Sequence, residues 1–264
     1  MEEKKKNFMD KLEDAEVVLV GIGEEFGETV EETSIQLDFE KFLEKISQQK
    51  NLAWLPPYIR MLKIKYSKAE QTMKAYGILE KLLENKDYFI VSTRKDDRIY
   101  DSGLRSDRIV TPCGGYRLTQ CMHGCQSQVY QVNQVLLKEI EECLKGIRQP
   151  DTLYCPRCPV CGEPLIFNNI EAEAYVEAGY QKQWENYTSW LQRTLNRRLC
   201  VLELGVGMSY PTVIRWPFER IVFLNQKSNL VRVHSKLYQL TEEIQERGYK
   251  INENPLDFLI NRFV

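Results

Sequence analysis

Glu16-Val17-Val18-Leu19-Val20-Gly21-Ile22-Gly23, continuing as Glu24-Glu25-Phe26-Gly27-Glu28, is the stretch on which the fold turns. Val17 to Val20 form an apolar run without polar alternation, the pattern of a parallel strand covered on both faces. The Gly-x-Gly turn of Gly21, Ile22 and Gly23 follows at its carboxyl end, where parallel α/β sheets place their ligand loops. Glycines there let backbone amides approach a phosphate and open onto a helix N-terminus. Many strand-to-helix turns contain glycine, and the acids Glu24, Glu25, Glu28, Glu31 and Glu32 work against an anion docking nearby.

Outward from this strand the same grammar repeats. Asp87–Thr93 reads as a second buried strand, with Arg94-Lys95-Asp96-Asp97 at its carboxyl end. Arg198–Leu204 reads as a third, ending in Gly205-Val206-Gly207. Arg220–Leu224 is expected as a fourth, ending in Asn225-Gln226-Lys227, and Leu230–Val233 as a short fifth. Apolar residues at helical spacing predict a helix over Lys68–Asn85 and a closing amphipathic helix over Gln239–Arg247. Strands alternating with helices predict an α/β, Rossmann-like parallel sheet with crossover helices. The two Gly-x-Gly loops are expected to face each other across a dinucleotide. Tyr58, Tyr66 and Tyr76 read as core residues, and His234 as structural.

Cysteines interrupt this pattern. Gln120-Cys121-Met122-His123-Gly124-Cys125 and Cys155-Pro156-Arg157-Cys158-Pro159-Val160-Cys161-Gly162 each carry a close thiol pair in a Pro/Gly-containing knuckle. Two such pairs complete a tetrahedral Zn²⁺ site. Cys121, Cys125, Cys158 and Cys161 are the expected ligands, with His123 and Cys155 as alternatives. A closed four-thiolate site is structural, because a catalytic zinc keeps an open position. The expected layout has a Rossmann-like domain in residues 1–28, 87–112 and 171–264. A helical module over 29–86 and a zinc-ribbon insertion over 113–170 interrupt it.

Bulk properties narrow the partners. The 264 residues carry a net charge of −2, with 28% charged and 43% hydrophobic side chains, so neither nucleic acid nor an anionic membrane is recommended. The run Lys4-Lys5-Lys6 is bracketed by acids and reads as a solvated helix end. With no export signal legible, the 8 cysteines suit metal in a reducing, cytoplasmic setting rather than disulfides.

The order of these pieces resembles the sirtuins, in which a zinc ribbon and a helical module are inserted into a Rossmann-type NAD-binding domain. Gly21-Ile22-Gly23 takes the place of the family's Gly-Ala-Gly loop, and Thr93-Arg94-Lys95-Asp96-Asp97 that of Thr-Gln-Asn-x-Asp. Cys113-Gly114 stands where sirtuins carry His-Gly. Gly205-Val206-Gly207 replaces Gly-Thr-Ser, and Leu224-Asn225 matches the Ile-Asn that holds the adenosine ribose. LELGVGMSYPTVIRWPFERI (residues 202–221) is similar to the bacterial macrodomain-linked (class M) sirtuins.

This resemblance implies NAD as co-substrate and transfer of ADP-ribose to a protein acceptor such as a lipoyl-carrier protein. It implies a cofactor site of Gly21, Ile22, Gly23, Thr93, Arg94, Gly205, Val206, Gly207, Asn225 and Gln226. Lys95, Asp97 and Cys113 fall at catalytic positions, with Asp97 expected to orient Lys95 and the ligand's ribose. Lys95 replaces the family's asparagine, and Cys113 is a thiol of poor basicity. The alternatives are a scaffold of the same fold that binds ADP-ribose or a protein partner without turnover, and NAD-dependent lysine deacylation.

Overall fold

The computed structural model describes residues 10–28 and 37–263. The lysine run Lys4–Lys6 and the acids Glu31 and Glu32 lie outside the described residues.

The opening apolar run becomes β1 (Val17–Ile22), buried at every position. It is followed by β2 (Asp87–Ser92) and the short β3 (Ile109–Val110). An insertion then supplies β4 (Gly114–Cys121), β5 (Val129–Gln131) and β6 (Leu165–Asn169), an antiparallel sheet of order β5-β4-β6. The chain returns to the large sheet with β7 (Leu199–Leu204), β8 (Asn229–Val233) and β9 (Gly248–Ile251). The large sheet is six-stranded and parallel throughout, in the order β3-β2-β1-β7-β8-β9. Counting only its own strands, this is the Rossmann order, which reverses between β1 and β7. Val17 pairs with both Asp87 and Leu199, so β1 and β7 sit side by side at that reversal.

Gly21 lies inside β1 for a packing reason. A Cβ there would fall 2.6 Å from Ile214 Cγ2, so the bare glycine lets helix Arg215–Leu224 lie close on the sheet. That helix corrects the expected fourth strand. The run Ile221-Val222-Phe223-Leu224 cannot be told from a strand by periodicity alone. Phe218 and Val222, one turn apart, form its buried face, while Phe223 and Leu224 are exposed. The expected closing helix over Gln239–Arg247 is a 3₁₀ turn at Glu242–Arg247 that leads into β9. A short terminal helix, Pro255–Ile260, follows, capped by the Asn254 side chain, which accepts from Leu256 N–H at 2.9 Å.

Two further bodies of apolar packing position the site. Helices Phe39–Ser47 and Pro56–Tyr66 share a core with helix Gln134–Leu144 and β6, through Phe42, Leu62, Ile140 and Phe167. The helical module and the zinc-ribbon insertion thus pack as one body. Helix Glu70–Leu83 packs instead on the large sheet, burying Tyr76 and Leu79 with Val18 and Ile90. No helix among the described residues is long and apolar enough to cross a membrane.

Candidate functional site

The insertion is pinned by its cysteines. The Sγ atoms of Cys121, Cys125, Cys158 and Cys161 all lie within 4.8 Å of one another. Cys121 and Cys161 are 3.4 Å apart and Cys125 and Cys158 3.6 Å apart, close to the edge of about 3.8 Å that four Zn–S bonds of ~2.3 Å define. Gly124 and Gly162 take positive φ, 56° and 76°, which lets both knuckles turn tightly. Backbone N–H groups of Cys125 and His123 point at Cys121 and pull its thiol down to about 6, favouring the thiolate a metal needs. The four residues fit zinc. Cys155 stands outside the cluster, its Sγ 3.6 Å from Pro156 O, and His123 is exposed beside Glu163.

The second feature lies at the carboxyl ends of β1, β2 and β7, where doubly wound sheets bind ligands. A cavity of about 300 Å³ opens there. The large domain lines it with Glu24, Glu28, Thr93, Arg94, Lys95 and Tyr210, and the small body with Ile64 and Tyr116. The first turn of helix Glu70–Leu83 adds Thr72.

The charged groups of this cavity are mutually engaged. Arg94 Nε donates to Asp96 Oδ2 at 2.9 Å and its Nη1 to the Glu24 carbonyl at 3.2 Å. Arg98 Nη2 donates to Ser67 Oγ at 2.9 Å, tying the loop after β2 to the end of helix Pro56–Tyr66. Lys95 Nζ pairs with Glu171, across the crevice on the loop after β6. Its hydrogen bond and ion pair with Glu171 outweigh burial and raise its pKa, which keeps the ammonium protonated.

Asp97 serves a different partner from the expected one. It adopts a left-handed backbone, φ 59°, and its Oδ2 accepts from Tyr116 N–H at 2.6 Å and Arg117 N–H at 3.0 Å. Burial pushes its carboxyl up to about 6 despite these donors. Asp97 therefore clamps β4 rather than orienting Lys95. Cys113 is buried, and burial pushes its thiol up to about 12, with Lys95 pulling the other way.

The Gly-x-Gly loops touch each other instead of facing across an open crevice. Glu25 N–H donates to Gly205 O at 3.1 Å, and Gly23 lies against Gly205 and Val206. Gly207 N–H donates to Glu24 Oε2 at 2.9 Å. Of the expected nucleotide residues, Thr93 and Arg94 line the cavity, together with Lys95 of the expected catalytic set; Gly207 adjoins it through Glu24, and Gly21 and Ile22 are strand core.

Asn225 and Gln226 are elsewhere. They follow the end of helix Arg215–Leu224, next to the amino end of β8, and the Asn225 side chain donates to Arg197 O at 3.1 Å. The residues at the carboxyl end of β8 are His234 and Ser235, whose N–H donates to Glu25 Oε2 at 2.9 Å. Sequence reasoning placed Glu28 near the first Gly-x-Gly loop as an acid that repels anions, and missed Thr72, Tyr116 and Tyr210 as lining residues. Only Tyr210 carried a signal, its place just past Gly205-Val206-Gly207.

Below β7 and β8 lies a buried charge network. Arg232 donates from Nε to Glu203 Oε2 at 2.5 Å and from Nη2 to Glu203 Oε1 at 3.1 Å, with both side chains at most 1% exposed. Arg215 Nη1 donates to Val206 O at 3.0 Å, holding the second Gly-x-Gly loop from beneath.

No family model matches the chain. It is 27% identical over 187 residues to a protein ADP-ribosyltransferase of Staphylococcus aureus, covering 69% of this chain and 58% of that protein. It is 28% identical over 167 residues to a probable bifunctional ADP-ribose hydrolase/ADP-ribosyltransferase of Fusarium oxysporum f. sp. cubense, covering 60% of this chain and 28% of that protein. The matches thus span less than two thirds of either relative's length. Among solved structures, a Sir2 protein bound to a propionylated peptide matches with a TM-score of 0.58 at 16% identity, over 98% of this chain and 96% of that one. A Sir2 homologue in complex with ADP-ribose matches with a TM-score of 0.56 at 14% identity, over 98% and 96%. The fold is that of the sirtuins.

Proposed function

We propose that this chain of sirtuin fold is an NAD-dependent ADP-ribosyltransferase acting on a protein. The observation that carries the reading is the cavity at the β1–β7 reversal, walled by both bodies and lined by Thr93, Arg94, Lys95 and Tyr116. The names of the curated relatives support the same chemistry.

In this reading Arg94 and Lys95 offset the charge of the NAD diphosphate. The bond between ribose C1′ and the nicotinamide nitrogen breaks, and nicotinamide leaves with the electron pair. An acceptor heteroatom bonds to C1′ and loses its proton. Sirtuin deacylation places a general base at the position of Cys113. A neutral thiol with a pKa near 12 serves that role poorly, which favours transfer to an external nucleophile. A lipoyl-carrier protein is the proposed acceptor class. Zinc, when bound by Cys121, Cys125, Cys158 and Cys161, supplies a crosslink between the two knuckles and no reaction step.

One observation favours a second reading, a nucleotide-binding scaffold without turnover. Both inherited catalytic positions are altered, with Lys95 locked to Glu171 and Cys113 neutral. Nicotinamide release, followed with NAD and a lipoylated carrier domain, separates the two. Release with labelled acceptor supports transfer. ADP-ribose binding without release, across acceptors, selects the scaffold.

A further inference from the structure

Two carboxylates from one turn face the same cavity. Glu24 Oε2 accepts the backbone N–H of Gly207 at 2.9 Å, a contact spanning 183 residues of sequence. Glu28 Oε2 accepts both the N–H and the hydroxyl of Thr72 at 3.0 Å, across 44 residues. Thr72 lies in the first turn of helix Glu70–Leu83, where the N–H groups have no partner within the helix. Each carboxylate is thus seated on donors of a kind that phosphate oxygens take. Arg94, Lys95 and Arg98 line the same space, so it already holds cations able to offset more than one negative charge.

We infer that Glu24 and Glu28 occupy the positions of the two phosphates of a dinucleotide, so that the chain inhibits its own site and a diphosphate ligand binds by displacing them. The inference deepens the NAD reading and rests on it for the ligand's full identity. The competition itself concerns only carboxylate against diphosphate. A ligand that meets a self-occupied site binds with an affinity lowered by the fraction of molecules in the open state. Removing the charge while keeping the shape raises that fraction.

The test titrates the zinc-loaded chain and its E24Q/E28Q variant calorimetrically with inorganic pyrophosphate and, separately, ADP-ribose. E70Q/E84Q is the control. It removes two charges at exposed positions outside the cavity, at the first residue and the C-cap of helix Glu70–Leu83. The expected result is pyrophosphate binding about tenfold tighter in E24Q/E28Q, with E70Q/E84Q within about twofold of the unaltered chain. Equal or weaker binding by a folded E24Q/E28Q overturns the inference. Should that variant not fold, E24Q alone is read the same way, because its amide oxygen still accepts from Gly207. Pyrophosphate tightening with no ADP-ribose binding in any form supports the competition and overturns the NAD reading. ADP-ribose bound equally by all forms keeps the NAD reading and overturns the competition.

Discussion

Gly23 and Gly205 meet with nothing but backbone between them: a Cβ on Gly23 would lie under 3.0 Å from both Gly205 O and Val206 Cα. The contact joins the loops that follow β1 and β7 at the sheet reversal, and Glu24, the residue after Gly23, lines the cavity there. Neither partner is the tip of a flexible side chain, so the clash cannot be relieved by a rotamer change.

Gly23→Ala is therefore expected to destabilise the fold by about 2 kcal/mol or more, through overpacking against main chain. Gly77→Ala makes the opposite case within the same protein. Gly77 lies inside helix Glu70–Leu83 with nothing within 4 Å of an added Cβ, so alanine there is expected to stabilise by about 0.5–1 kcal/mol. Paired thermal melts read both signs. A Gly23→Ala variant as stable as the unaltered chain would mean the two loops are not in contact.

Metal removal is expected to loosen the insertion. β4 and β6 carry or adjoin the ligands, and both pack on the core that holds Tyr58 and Phe167. A strong chelator should lower the melting temperature and expose four additional thiols to a thiol reagent, one for each cysteine in the cluster. Cys155→Ser should leave one zinc per chain, because its sulfur stands outside the cluster, whereas Cys158→Ser should abolish stoichiometric zinc. Metal analysis of the two purified variants decides between them.

Asp97 supplies a pH signature. Its folded pKa, about 6, lies above the ordinary 3.8, so the folded state holds this proton more tightly than the unfolded chain. The associated stability is fully present below about pH 4 and is lost as pH rises through about 6. The shift corresponds to at most about 3 kcal/mol. Asp97→Asn keeps an oxygen for the Tyr116 N–H and suits a left-handed backbone, so it should fold. The difference in stability between variant and unaltered chain should then change between pH 4 and 7, in favour of the variant at the higher pH. A flat difference across that window would place the titration elsewhere.

The buried pair Glu203–Arg232 separates charge from shape. Arg232→Met leaves Glu203 buried without its bidentate partner and should cost about 3–5 kcal/mol. Glu203→Met/Arg232→Met removes both charges and should recover much of that loss. Chemical denaturation of the three chains measures it. A double variant no better than the single would show that Glu219, which also accepts from Arg232 at 2.8 Å, carries the coupling.

What the sequence made legible follows from how local each signal is. β1 and β7 are apolar at almost every position because both faces are covered, and the cysteine spacing needs no tertiary information to suggest a metal. The cavity wall was not legible, because Thr72, Tyr116 and Tyr210 come together only when three segments meet. The helix Arg215–Leu224 was misread because Ile221-Val222-Phe223-Leu224 is as apolar as a strand, and the exposure of Phe223 and Leu224 shows only in three dimensions. That one misreading put Asn225 at the carboxyl end of a strand, whereas it precedes the amino end of β8.

Asn225 makes the consequence measurable. Its amide donates to Arg197 O at 3.1 Å, and its Oδ1 accepts from Lys227 N–H at 3.1 Å, so it closes the turn between helix Arg215–Leu224 and β8. Asn225→Ala leaves buried polar groups unpaired and should cost about 1–3 kcal/mol of stability. Its side chain is remote from the cavity at the carboxyl ends, so affinity for ADP-ribose should remain within about twofold of the unaltered chain, a difference of under ~0.5 kcal/mol. His234 and Ser235 stand at the carboxyl end of β8, and Glu25 ties them to the loop after β1, accepting from both the Ser235 N–H and the Ser235 hydroxyl. Ser235→Ala should therefore disturb that loop while Asn225→Ala does not. Loss of ADP-ribose binding in a stably folded Asn225→Ala chain would return the ribose contact to Asn225 and contradict the placement of helix Arg215–Leu224.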